Sequence, residues 1–114
     1  MVLLTVAACG GGPSSSAAWD GPGDPAAGKR VISRIACGIC HVIPGVAGAR
    51  GTVGPSLEGF AERNLIAGRL PNEFELLTRW VRDAPSFDPA TGMPELPISE
   101  DEARDVAAYL HSLR

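Results

Sequence analysis

Apolar residues fall at helical spacing in three stretches of this chain, with Gly- and Pro-rich segments between them. The first predicted helix opens at Asp24-Pro25, a good N-cap followed by proline at the first helical position. Val31, Ile32, Ile35 and Ala36 share one face, and Lys29, Arg30 and Arg34 lie on the other. A short helix is expected between Leu57 and Asn64, carrying Phe60. The next is clearer: Phe74, Leu77 and Val81 recur at i, i+3 and i+7, with Leu76 and Trp80 alongside. Asn72-Glu73-Phe74-Glu75 resembles a capping box for it, and Pro85 ends it by disfavouring helix at Ala84. Pro85, Pro89, Pro94 and Pro97 then impose a stiff extended loop. The last helix opens on the capping box Ser99-Glu100-Asp101-Glu102 and carries a stripe of Ala103, Val106, Leu110 and Leu113, with Tyr109 at its edge. No strand pattern of useful length and no internal repeat is present, so the pattern predicts a small all-α domain.

The N-terminal part reads differently. Residues 2–8 form an apolar run too short to span a bilayer, and Val6-Ala7-Ala8-Cys9 resembles a bacterial lipobox, in which Cys9 carries a lipid anchor. No Lys or Arg precedes the run, the one departure from that pattern; an ordinary cleaved signal and a plain thiol are the other readings of Cys9. Residues 10–23 read as a flexible Gly/Ser/Pro tether. The expected organisation is a signal or lipobox-like segment over 1–9, a tether over 10–23, and a folded domain over 24–114.

With 114 residues this is one domain. Its apolar fraction of 45% is ordinary, but its ordered part is small and poor in aromatics, which implies a marginal core of its own. A net charge of −3 argues against nucleic acid as a partner. The charge is uneven: residues 28–70 carry six Lys/Arg against two acids, and residues 71–113 carry three Arg against nine acids. Such an asymmetry orients a protein as it meets a charged partner, although an ordinary solvated surface also accounts for it.

The chemistry concentrates in Cys37-Gly38-Ile39-Cys40-His41. C-x-x-C-H is the attachment signature of a c-type haem: each thiol adds to a haem vinyl group, and His41 follows as an iron ligand. Structural zinc would need four ligands, and only one Cys pair with His41 and His111 is available. A thioredoxin-like motif would need a βαβ context. Met93 is, apart from Met1, the only methionine. It sits between Gly92 and Pro94 in the Pro-rich loop, and its thioether is a natural second axial ligand. His111, as an alternative ligand, would give a bis-histidine site; it is expected instead at the surface.

CGICH, Ile43-Pro44-Gly45, Gly54-Pro55-Ser56-Leu57-Glu58-Gly59, Trp80, Gly92-Met93-Pro94 and the final Ala107-Ala108-Tyr109-Leu110 stand in the order found in class I c-type cytochromes, and the stretch from about Asp24 to Arg114 resembles that family. The resemblance implies a small class I cytochrome c fold of three to five helices and long loops round one covalent haem c, with His41 and Met93 as axial ligands. It implies that the Pro44 carbonyl accepts a hydrogen bond from the free nitrogen of His41. It also implies that Trp80 donates its indole N–H to a haem propionate, with a plain core residue as the other reading; Arg50 is a candidate second propionate partner. The last helix would cross the first at a small residue, for which Gly28 is the candidate.

The expected function is one-electron transfer by a six-coordinate haem, in a monomeric, exported protein on the periplasmic or outer face of a bacterial membrane, held there through Cys9. Its expected partners are a quinol-cytochrome c reductase, a terminal oxidase or a dehydrogenase. An enzyme in its own right is not expected. Two alternatives stand beside this: a haem-based gas sensor or peroxidase-like enzyme with a displaceable Met93, and a fixed cytochrome subunit of a larger oxidoreductase.

Overall fold

The computed structural model describes residues 19–114; Cys9 and the lipobox-like segment lie outside these. Three helices carry the architecture, α1 (Pro25–Arg34), α2 (Phe74–Arg82) and α3 (Glu100–His111). Single 3-10 turns span Cys37–Ile39, Phe60–Glu62 and Ala84–Ser86. The 3-10 turn at Phe60 stands where a short helix was expected. A two-stranded antiparallel hairpin, β1 (Leu65–Ile66) with β2 (Leu70–Pro71), and an isolated bridge between Val42 and Arg50 depart from all-α structure. The hairpin turn places Ala67 and Gly68 at positive φ, 51° and 69°, as a type I′ turn requires. Two residues per strand are too few for a period-2 pattern to register in the sequence.

α1 packs across α3, and α2 packs on α3. The crossing is close because Gly28 has no side chain: a Cβ there would overlap the Asp105 carbonyl and come within 2.9 Å of Val106 N. Asp24 caps α1, accepting from Ala26 N–H at 2.9 Å, and its own N–H donates to Asp105 Oδ1 at 2.9 Å. Asp105 thus holds the start of α1 from the neighbouring helix. Arg34 and Glu102 form an ion pair across the same interface. Ala36, expected on the buried face, is exposed: it takes φ 59° just after α1, so the chain reverses there and its methyl leaves the helical stripe.

α3 forms its capping box as expected, with Ser99 accepting from Glu102 N–H and Glu102 accepting from Ser99 N–H. α2 does not. Glu73, not Asn72, occupies its N-cap and makes no side-chain bond, and the Asn72 amide N–H groups donate instead to the carbonyls of Phe60 and Arg63 at 3.0 and 2.9 Å. The core gathers Ile32 of α1, Leu77 and Val81 of α2, and Val106 and Leu110 of α3, joined by Phe60 and Ile66.

The end of the expected tether is docked. Trp19 packs against Phe74 and His111, at centroid distances of 6.4 and 6.3 Å, and its indole N–H donates to Pro22 O at 3.3 Å. His111, expected at the surface, is half-buried there against Phe60 and Phe74. Its C-terminal place on α3 suggests exposure, but the loops folded over that end cover it. Burial among these rings lowers its pKa from the ordinary value by disfavouring the charged form. No helix among the described residues is long and apolar enough to cross a membrane.

Candidate haem site

A largely apolar cleft of about 790 Å³ opens between the helices and the loops, within the size range of small-molecule and cofactor sites. Its lining brings together pieces far apart in sequence: Cys37, Cys40 and His41 from the turn after α1, Trp80 from α2, and Met93 from the Pro-rich loop. Ile35, Leu57 and Leu96 add apolar walls.

The turn that presents CGICH is set by contacts that tolerate no extra atoms. The left-handed Ala36 redirects the chain, and His41 N–H closes the turn on Cys37 O at 3.1 Å. The following loop folds back over it, with Gly51 N–H on Gly38 O at 3.0 Å and Gly54 N–H on Cys40 O at 2.7 Å. A Cβ on Gly38 would meet Ala49 Cα at 2.6 Å. A Cβ on Gly54 would meet His41 Nδ1 at 2.7 Å. These glycines let the backbone lie directly on the cysteine turn and the imidazole.

His41 Nδ1 lies 2.7 Å from Pro55 O. A carbonyl only accepts, so Nδ1 carries the proton and Nε2 keeps its lone pair free for an electrophile. This corrects the assignment of the carbonyl partner to Pro44. The Pro44 carbonyl accepts instead from the Tyr109 hydroxyl of α3, and Gly45 leaves room for that hydroxyl. Both prolines follow His41 within one loop, and only the folded path of that loop decides which carbonyl reaches the ring. Burial raises the Tyr109 pKa and keeps its hydroxyl protonated as a donor.

Both cysteines are half-buried free thiols. Desolvation pushes the Cys37 thiol up, its backbone hydrogen bond opposes this, and the charge of a neighbouring Cys40 thiolate adds to the rise. A thioether has no proton to lose, so sulfur in that form suits this apolar wall better than a thiolate does. No three of His, Cys, Asp and Glu gather as a metal-ligand set among the described residues.

Met93 is half-buried in a braced loop. Its N–H donates to Thr91 Oγ1 at 3.2 Å, Thr91 N–H donates to Asp88 O at 3.0 Å, and Leu96 N–H donates to Arg82 O at 3.0 Å. Asp88 pairs with Arg69 of the hairpin turn at 2.9 Å. Trp80 is buried, with Phe87 beside it at 6.2 Å between ring centroids.

Arg50 stands elsewhere. It is exposed, bridged by its backbone to Val42, and is not part of the cleft lining. The arginine that does line the cleft is Arg63, which reading the sequence missed. Its guanidinium donates to Ser56 O and lies 5.5 Å over the Phe60 ring. Arg63 sits in irregular chain after Phe60, with no periodicity to mark it.

The donor set fits a covalently held haem: two thiols spaced by two residues, an imidazole with a free Nε2, a thioether, and apolar walls. Cytochrome c oxidase subunit 2 of Alkalihalophilus pseudofirmus is 38% identical to this chain over 88 residues, 76% of this chain and 25% of that protein. The chain therefore spans a quarter of that relative's length. The family model for cytochrome c matches residues 25–114, from the first residue of α1 to the C-terminus. Fold, cleft and family match agree: this chain belongs to the cytochrome c family, as a class I c-type cytochrome whose family function is electron transfer by covalently bound haem c.

Proposed function

We propose that the domain is a one-electron carrier with a single six-coordinate haem c, held by thioethers to Cys37 and Cys40 and ligated by His41 and Met93. The observation that carries this is the convergence of CGICH and Met93 on one apolar cleft. When bound, the haem supplies a one-electron couple between Fe(II) and Fe(III).

The chain's own part is to hold and exclude. Pro55 fixes the tautomer and orientation of His41, as partners of ligating histidines do. The Thr91, Asp88 and Arg69 contacts brace the loop that carries Met93, whose thioether would hold the iron. The apolar walls exclude water and disfavour the extra charge of the oxidised state, which raises the potential. Trp80 and Arg63 line the same cleft and bring the N–H groups suited to the haem carboxylates. His41 and Met93 would both hold the iron, so no substrate would need to reach it. That favours a carrier over a gas sensor or peroxidase.

Membership of a larger oxidoreductase is the second reading, supported by likeness to a quarter of the length of a cytochrome c oxidase subunit 2. The domain would then pass electrons to or within an oxidase. A periplasmic or outer-face location with a lipid on Cys9, and a tether before the domain, belong to the same proposal.

The test is pyridine haemochrome analysis with mass spectrometry of protein made alongside a haem-attachment system. One haem should remain on the peptide containing Cys37 and Cys40 after acid-acetone extraction. Loss of the haem to the organic phase would sink the reading.

A further inference from the structure

A series of side-chain hydrogen bonds, joined through the backbone of residues 55–63, links the end of α3 to His41. His111 Nε2 lies 2.9 Å from Asn72 Oδ1. The Asn72 amide can face only one way, because its nitrogen sits on two carbonyls, those of Phe60 and Arg63, and carbonyls only accept. Oδ1 therefore faces the imidazole, and His111 Nε2 is the N–H that donates to it. One step on, the Arg63 guanidinium donates to Ser56 O. The residue before Ser56 is Pro55, whose carbonyl takes the Nδ1–H of His41 at 2.7 Å. A second tie runs in parallel, from Ala61 N–H to Leu113 O at 2.8 Å. The segment 55–63 is thus strung between His41 and the end of α3.

Packing alone does not account for the arrangement. A core position beside Trp19, Phe60 and Phe74 would be filled more cheaply by a phenylalanine or leucine, since burying a polar ring costs free energy unless its donors are met. Asn72, one residue before the N-cap of α2, likewise turns its side chain to three other groups. Both residues are tied to the segment that holds the His41 ring, Asn72 directly and His111 through Asn72.

We propose that His111 and Asn72 are positioning residues for His41. Acting through residues 55–63, they hold the Pro55 carbonyl on Nδ1, and so set the orientation of the ring and the donor strength of Nε2. The proposal rests on the reading that His41 ligates the haem iron.

The test uses the reduced, haem-loaded protein and follows the His41 Nδ1–H proton by NMR, together with the reduction potential. H111M keeps bulk and apolarity but has no donor, while H111Q keeps an N–H for Asn72 Oδ1. In H111M the His41 Nδ1–H should exchange with solvent roughly 3–10-fold faster, the range expected for losing one hydrogen bond's hold. The comparison is with the amide of Ile32 in α1, whose exchange should not change. The resonance and the potential should shift in H111M and return towards wild type in H111Q. N72L should behave like H111M; should N72L not fold, the two His111 variants decide alone. Unchanged Nδ1–H exchange and potential in H111M, with only the melting temperature lowered, would show a purely structural role and overturn the proposal. So would an H111Q variant indistinguishable from H111M. The underlying reading is checked separately in wild type. His41 ring protons without the strong upfield shift of a ring beneath a porphyrin would remove His41 as ligand, and the proposal with it.

Discussion

Gly28 of α1 lies directly on the backbone of Asp105 in α3, with no space for a side chain between them. Helices normally pack 8–10 Å apart, with the distance set by the side chains at the contact. Here the smallest residue lets α3 come close enough for Asp105 to bond Asp24 N–H and for Glu102 to reach Arg34.

Gly28→Val should therefore force the two helices apart. The glycine is mid-helix, so its replacement gains some helix propensity, but overpacking of about 1–3 kcal/mol or more outweighs that gain. The expected outcome is a markedly lower melting temperature in the haem-loaded protein. Melts of G28A and G28V against wild type check it, with the larger side chain costing more.

The helices were legible in the sequence because each carries its own signal: Asp24-Pro25 for α1, the 3.6-residue recurrence of Phe74, Leu77 and Val81 for α2, and Ser99 with Glu102 for α3. Gly28 was legible too, through the family likeness. Less local features were not. Whether Pro44 or Pro55 faces His41 depends on how a Gly-rich loop closes on the cysteine turn, and both candidates lie in that loop. Asn72 carries a good N-cap side chain, yet Glu73 stands at the cap, and the Asn72 side chain bonds Phe60, Arg63 and His111 instead. Arg50 and Arg63 look alike in sequence, and only the path of the chain sends one to solvent and the other to the cleft.

Met93→Ala should open the sixth coordination position. The Fe(III)–S charge-transfer band should disappear, carbon monoxide should bind readily to the reduced protein, and the potential should fall, since thioether ligation favours the reduced iron. Absorption spectra and potentiometry of mutant and wild type read all three. Identical oxidised spectra would show that Met93 is not a ligand.

His111 makes stability depend on pH. Its folded pKa lies below the unfolded value of 6.5, because the ring is desolvated. Between the two values the unfolded chain binds more protons, so stability rises with pH there. The contribution is full above the unfolded value and is lost as pH falls towards the folded one. The charged groups nearest its aromatic neighbours, Arg63 over Phe60 and Arg104 over Phe74, are cations, and Glu75 pairs with Arg104. Melts between pH about 5 and about 8 should show this slope in wild type and a flatter profile in H111Q. Equal slopes would mean that other groups carry the dependence.

The cleft predicts how the chain behaves without its haem. Ile35, Leu57, Trp80 and Leu96 all line it, and with no haem against them they face water or collapse on one another. Each buried aliphatic side chain contributes about 1.5–3 kcal/mol, while a typical domain is stable by only about 5–15 kcal/mol. Losing a few such contacts removes most of that margin. The thioethers are lost as well, and with them the tie between the CGICH turn and the core. Contacts away from the cleft remain, chiefly the crossing of α1 and α3 at Gly28 and the packing of Trp19 and Phe74 on His111. They do not hold the Met93 loop or the hairpin, whose remaining ties are the Asp88–Arg69 pair and single loop hydrogen bonds. The Cys37→Ala/Cys40→Ala double mutant, made without haem, should therefore be largely unfolded, with α1 and α3 at most partly formed. Far-UV circular dichroism with a thermal melt checks it. Low helicity and a broad, non-cooperative melt are expected. Native-like helicity with a cooperative melt would show that the polypeptide has a sufficient core of its own, and that the cleft is a binding site in a self-standing fold rather than the centre round which the chain folds.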